Sequence, residues 1–374
     1  MDAKREEPSK KCASAPCCGA EVPARLGPPA ASAEAETPLG RALAVSPERT
    51  LGDVWGAIRV RWGVGRMEYA VAPGLYALGA PDARSSVLVT ANYKLSFDAL
   101  RSALPGRSVW ILVLDTGGIN VWCAAGKGTF GTEELCHRVQ VERLASRVTH
   151  HRLILPQLGA PGVAGQEVQK RTGFHVVWGP IRADDLPAFL DAGEKATPRM
   201  RKKTFTLAER AVVIPVELVT ALQSGVFIAL ALFFLAALGW PGPYWPGSLL
   251  HGTRAVLALA LAIFGGAVLV PLALPWLPGR AFATKGVWAG LILAAPFLHF
   301  FAPATLQDPC WLEQIGLALL GVALSSFLAM NFTGASTYTS LSGVRKEMRW
   351  AVPCQILVFL IGLGLWVGAR FLTL

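Results

Sequence analysis

The stretch VWILVLDTGGINVWCAAGKG, residues 109–128, decides the reading of the first half of the chain. It opens on six consecutive apolar residues, the mark of a strand covered on both faces, as in a parallel sheet. Asp115 closes the run, and four glycines (Gly117, Gly118, Gly126, Gly128) follow within twelve residues, which lets a ligand approach the backbone closely. The loop leads toward a helix starting near Thr132, whose N-terminal donors suit anionic groups. The spacing is neither GxGxxG nor GxxxxGK followed by Ser or Thr, because Thr129 comes one residue too late after Lys127. Neither a dinucleotide nor a Walker site is therefore read here.

Working outward, further short apolar runs at 86–90, 152–155 and 175–178 read as buried strands. Between and after them, 96–103, 132–146, 163–171 and 184–190 have helical spacing. Strand–helix alternation predicts a parallel, Rossmann-like sheet with ligand loops over the strand carboxyl ends. Residues 1–45 are rich in Ala, Pro, Glu and Lys and lack aromatics, so they read as a disordered tail.

Over all 374 residues, 53% are apolar and only 16% charged, against roughly 25% charged in soluble domains. The net charge is nevertheless +10, which fits either a membrane protein with basic loops or a nucleic-acid binder with an oily core. Division at residue 210 decides between them. Residues 211–374 hold only 7 Lys+Arg and 4 Asp+Glu, and five apolar stretches recur at 215–239, 253–275, 286–303, 311–332 and 351–372. Each is near the ~20 residues that cross a bilayer. Trp240, Trp245, Trp276, Trp288, Trp311 and Trp350 fall at their ends, as an aromatic belt requires. The nucleic-acid reading falls away, and the lipid bilayer takes its place as partner.

Basic residues set the orientation. Arg199, Arg201, Lys202, Lys203 and Arg210 precede the first stretch, Arg280 and Lys285 lie between the second and third, and Arg345, Lys346 and Arg349 between the fourth and fifth. All fall on one side, with Arg254 and Arg370 on the other, so the N-terminal half is expected in the cytoplasm and the chain in the inner membrane. Residues 1–20 contain no apolar core of a signal peptide. Glu217 is expected at the interface. The expected organisation is a tail (1–45), an α/β Rossmann-like domain (46–195), a basic linker (196–214) and an all-α membrane domain of five transmembrane helices (215–374).

Cys123 lies in the middle of the glycine-rich stretch. A cysteine is ordinarily a small buried hydrophobe. Here the strand-end loop, the nearby Lys127 and the surrounding glycines suit instead a thiolate facing a pocket, as nucleophile, redox centre or soft-metal ligand.

The octapeptide NVWCAAGK (120–127) resembles the signature of the mercury-methylating corrinoid membrane proteins. VLVTANYKLSFD (87–98), LDTGGINVWCAAGKGTFGTEEL (114–135), LGAPGVAG (158–165), WGPIRADDLPAFL (178–190) and FTGASTYTSLSGVRKEM (332–348) are similar to the same family. More distantly they resemble the large subunit of the corrinoid iron–sulfur protein. The resemblance implies a corrinoid-binding domain holding a base-off cobalamin, with the Cys123 thiolate as lower axial ligand of cobalt. It further implies cofactor-binding roles for Thr90, Asn92, Gly117, Gly118, Asn120, Val121, Trp122, Ala124, Ala125, Gly126, Lys127, Gly162 and Gly179, and for Thr333, Thr337 and Ser340 beyond them.

A thiolate opposite a cobalt-bound methyl group favours its release with the electron pair toward a soft electrophile such as Hg(II). The usual Asp-x-His-x-x-Gly corrinoid motif is absent, and His137 reads as a solvated helix residue. Cys12, Cys17 and Cys18 cannot supply the four thiolates of a 4Fe–4S cluster, so the resemblance implies a ferredoxin-like partner with two such clusters as electron donor. Cys17 and Cys18 are also a candidate Hg(II) relay. Cys136, Cys310 and Cys354 read as packing residues. The polar 332–348 stretch, with Thr333, Ser336, Thr337, Thr339, Ser340 and Ser342, reads as a loop that touches the cofactor or its domain.

Three functions remain in competition. One is methyl transfer to Hg(II), with methyl supplied from a methylated folate by a separate methyltransferase. The second is a methyl carrier of one-carbon metabolism, and the third is a non-enzymatic membrane sensor of corrinoid or metal.

Overall fold

The computed structural model describes residues 34–37, 40–240, 242–303, 310–335 and 341–372. They form two compact units. The first takes in the described residues up to Asp53 together with Met67–Thr197; the second takes in Val54–Arg66 and the described residues from Pro198 onward.

The first unit is built on seven strands: β1 (Glu34–Thr37), β2 (Gly40–Val45), β3 (Gly74–Leu78), β4 (Val87–Ala91), β5 (Val109–Leu114), β6 (Arg152–Leu155) and β7 (His175–Trp178). Their order is β1-β2-β3-β5-β4-β6-β7. The chain also forms helices α1 (Leu51–Arg61), α2 (Lys94–Ser102), α3 (Val121–Lys127), α4 (Thr132–Val141), α5 (Leu144–Arg147), α6 (Gly165–Thr172) and α7 (Leu186–Asp191). β3, β4 and β5 are buried along their whole length, which is why their sequences run apolar without alternation.

The four strands expected from sequence are present and mutually parallel, from β5 through β4 and β6 to β7. Beyond β5 the sheet continues with strands not read from the sequence, and β3 pairs with β5 antiparallel. β2 joins β3 parallel, and β1 joins β2 antiparallel. A correction concerns the tail, whose residues 34–37 and 40–45 form the strands at that edge.

A buried ion cluster ties α2 to the segment ahead of it. Lys94 Nζ donates to Asp53 Oδ1 (2.5 Å) and Asp98 Oδ2 (2.8 Å), and Arg101 reaches the same two carboxylates through Nη2 (2.7 Å) and Nε (2.8 Å). Arg101 Nη1 also donates to the carbonyls of Ser46 and Glu48. Two cations thus meet two anions, the condition under which charge is tolerated in a core. Burial works to raise the Asp53 carboxyl. The hydrogen bond from Lys94, the Thr50 amide and the Lys94 charge outweigh it and hold that carboxyl well below the usual carboxylate range.

The second unit contains five helices long and apolar enough to cross a membrane: span 1 (Leu207–Leu235), span 2 (Tyr244–Ala273), span 3 (Phe282–Phe300), span 4 (Cys310–Asn331) and span 5 (Ser342–Phe371). Span 1 starts inside the segment expected as linker, and span 5 starts inside the segment expected as a loop. Glycine sets the helix contacts. A Cβ on Gly290 would lie 2.8 Å from Val322 Cα, and one on Gly316 would lie 2.7 Å from Trp366 N and 2.8 Å from Gly362 O. Such close approach is how apolar helices associate where surrounding lipid is equally apolar.

A polar cluster that the sparse charge of the spans did not announce lies between them. His251 Nδ1 meets Glu313 Oε2 at 2.8 Å, Arg254 Nη1 lies 3.6 Å from the same carboxylate, and Trp240 stacks on His251 at 4.0 Å. Arg370 is within electrostatic reach of Glu313 and covers the Trp366 ring. The two basic residues that stood against the charge asymmetry, Arg254 and Arg370, are therefore engaged within the bundle rather than placed in a loop.

Candidate functional site

The loop after β5 is organised by one buried amide. Asn92, just past β4, accepts through Oδ1 from Thr116 Oγ1 (2.8 Å) and Gly118 N (2.9 Å). Its Nδ2 donates to Asp115 Oδ1 (3.1 Å), which also accepts from Gly117 N (3.0 Å). Gly117 and Gly118 turn through φ of 65° and 72°, and a Cβ at Gly118 would come 3.1 Å from Met67 O. Both positions need glycine to make this turn. Asn92, Gly117 and Gly118, expected to contact a cofactor, are thus brought together as the support of the residues that follow.

Those residues form α3 where the sequence reading expected continuous loop. Asn120 is its N-cap, accepting from Cys123 N at 2.9 Å, and Gly128 closes it at φ 84°. Asn at one end, Ala124-Ala125 in the middle and Gly at the other are ordinary helix boundary signals. The glycine count masked them.

Val121, Ala124 and Ala125 face the core. A Cβ at Gly162 would overlap Phe130 O and come 3.0 Å from Ala125 Cα, so Gly162 lets its loop pack directly on α3. The opposite face carries Trp122, Cys123, Gly126 and Lys127, all exposed. A Cβ at Gly126 would meet nothing within 4 Å, so the surface beside the Cys123 thiol is open. Among the described residues no three His, Cys, Asp or Glu gather as a metal site. Cys123 belongs to no such group among them.

Beside α3 lies a cavity of about 310 Å³ lined by Thr90, Asn120, Val121, Trp122, Leu155, Pro156, Gly179 and Pro180, among others. Its position follows from topology. From β4 the chain crosses to β5 on one side, and β6 and β7 build on the other, so β4 and β6 flank the point where strand order reverses. Open α/β sheets bind ligands outside the strand carboxyl ends at that point. Thr90, Asn120, Trp122 and Gly179, singled out from sequence, converge there. The lining from 181 to 186 was not anticipated, because only the fold brings the segment after β7 over β4.

Thr333 is buried in the second unit, where its Oγ1 donates to Met330 O at 2.7 Å. Thr337 and Ser340 lie outside the described residues, as do Cys12, Cys17 and Cys18. His137 is exposed on α4. Cys136 is fully buried, and burial pushes its thiol up. Cys354 is exposed on span 5, against the expectation of a packing residue.

Residues 65–190 match the family model described as CO dehydrogenase/acetyl-CoA synthase delta subunit. The chain is 33% identical over 123 residues to the acetyl-CoA decarbonylase/synthase complex subunit gamma of Methanopyrus kandleri, covering 32% of this chain and 26% of the relative. The same subunit of Methanocaldococcus jannaschii is 32% identical over 127 residues, covering 33% and 26%. The corrinoid/iron-sulfur protein large subunit of Moorella thermoacetica is 30% identical over 120 residues, again 32% and 26%. The chain thus spans about a quarter of the length of these curated relatives. The resemblance to the corrinoid iron–sulfur large subunit read from sequence is borne out over about a third of the chain, and the five long apolar helices are consistent with the membrane-bound family.

Proposed function

We propose that the protein binds a corrinoid over the exposed face of α3 and transfers methyl from it to Hg(II). The observation that carries this is Cys123, an exposed thiol beside the open surface of Gly126, at the sheet's switch point, within the 65–190 family match of a chain that is similar to a named corrinoid protein. A protein thiol with an open surface beside it would suit a macrocycle that brings the metal's other donors with it.

A corrinoid, when bound, supplies a cobalt that accepts and releases a methyl group. The residues that would hold it are those of α3 and the adjoining cavity, with the Cys123 thiolate as the protein's donor to the cobalt. An electron-rich thiolate donor at Cys123 would suit a cobalt centre that gives up methyl to a soft acceptor such as Hg(II). Asn120 fixes the Cys123 backbone, Trp122 shields one flank of the thiolate, and Gly126 keeps the approach clear. Thr90 and Gly179 line the adjoining cavity. A ferredoxin-like protein with two 4Fe–4S clusters supplies electrons, and a methyltransferase supplies methyl from methylated folate. The basic residues flanking the spans support a cytoplasmic face for the sheet unit.

The second reading, a methyl carrier of one-carbon metabolism, is favoured by the names of the relatives, which are subunits of acetyl-CoA decarbonylase/synthase complexes. Cys123→Ala separates the two. Under the first reading, Hg(II) methylation falls to background while the visible spectrum still shows bound corrinoid with altered axial ligation. Unchanged mercury methylation in that variant would eliminate the axial thiolate. Methyl transfer to a carbon-metabolism acceptor, unaffected by the substitution and with no mercury product from either protein, would establish the carrier.

A further inference from the structure

Helix α1 carries an apolar stripe that the protein leaves uncovered. Leu51, Val54, Trp55, Ile58 and the following Trp62 recur at helical spacing, and all are exposed, Leu51 by 89% and Trp55 by 62%. At 100° per residue these five fall within one arc of about 100°. Asp53 and Val60 lie on the opposite face and are buried. Arg59 and Arg61 border the stripe, one on each side. A soluble surface rarely shows so continuous a run of large apolar side chains.

Location within the second unit says what covers it. The turn after α1 meets the beginning of the first apolar stretch. A Cβ at Gly63 would lie 3.9 Å from Val219 Cγ1, and Arg66 is within electrostatic reach of Glu217. Glu217 and Val219 lie in the first two turns of the apolar helix Ile214–Leu235 inside span 1, and a charged pair there places the end of α1 near headgroup depth. Tryptophan and arginine are the residues that this depth favours.

We propose that α1 and its turn form an in-plane anchor in the lipid interface from which span 1 enters. The stripe from Leu51 to Trp62 sits in the acyl boundary, and Arg59, Arg61 and Arg66 contact the phosphates of anionic phospholipids. This anchor is independent of the chemistry at Cys123.

The test uses the full chain in nanodiscs of phosphatidylcholine, with and without phosphatidylglycerol, each doped with a photoreactive acyl-chain lipid. Peptides covering 51–66 acquire lipid adducts, more in the anionic discs. Trp55→Glu combined with Ile58→Glu, both exposed, abolishes those adducts while adducts on the spans persist. Arg61→Gln lowers the preference for anionic discs about fivefold. Adducts confined to span peptides would overturn the proposal. So would cross-links from 51–66 to a second copy or another protein in place of lipid.

Discussion

The two units bury their surfaces by opposite means. The sheet unit fills space with large side chains, Trp110, Tyr76, Phe97, Phe130 and Phe174 among those fully enclosed. The membrane unit gains contact by omitting side chains, so that Gly316 and Gly362 bring spans 4 and 5 backbone to backbone. In water, withdrawal of apolar area drives association. Between lipid-embedded helices that drive is missing, and close packing with a few paired polar groups replaces it. A given residue type therefore means different things in the two halves: glycine turns the chain, opens a surface or seats a loop in one, and brings long helices together in the other.

The comparison can be broken most forcefully at the buried charges. Asp53→Asn leaves Lys94 and Arg101 sharing the single carboxylate of Asp98, at a cost of about 3–5 kcal/mol. Hydrogen exchange across the α2 and β4 peptides reads the loss, and the span peptides stay unchanged. Because the Asp53 carboxyl titrates below its ordinary value, its stabilisation is complete above pH ~4 and drains away as pH falls toward the folded-state value. The wild-type sheet unit consequently loosens in acid, and the Asn variant loses that part of the pH slope.

Gly316→Leu has a smaller expected effect; the added side chain has nowhere to go, since the obstructing atoms are the backbone of Trp366 and Gly362. Overpacking of this sort costs about 1–3 kcal/mol. Cross-linking between cysteines placed on spans 4 and 5 should decline, with the sheet unit unaffected.

The mildest substitution sharpens the contrast most. Gly126→Ala meets no atom and improves helix propensity by roughly 1 kcal/mol, so α3 becomes more stable. If the open floor beside Cys123 receives the macrocycle, corrinoid affinity nevertheless declines. Affinity that rises with helix stability would show that the floor is not used.

Legibility followed the same physics. Lipid tolerates only long apolar runs, so the five spans could be read within several residues of their observed limits, apart from the entry to spans 1, 2 and 5. The central strands β4 and β5 were legible because both faces are buried. β1 and β2, with EAET and GRALAV, offer weak polar alternation at a sheet edge, and the strand register that recruits them is a tertiary choice. The antiparallel approach of β3 to β5 is likewise set by the partner and not by the strand's own residues. At the site, the octapeptide identified Cys123 and its neighbours, but not that they form a helix with an open face. α1 escaped notice for an instructive reason: its apolar stripe points away from the protein, so no core pattern accounts for it.

Helix α3 spans only seven residues, too few to hold helical shape in isolation. Its form is lent by the Val121, Ala124 and Ala125 contacts and by the close seat at Gly162. The direction in which the Cys123 sulfur points is therefore set from behind, by parts that never touch it. A side chain added at Gly162 would re-aim the thiol as surely as a change beside it, which makes the tightness of an apolar seam the adjustment screw for ligand geometry on the open face.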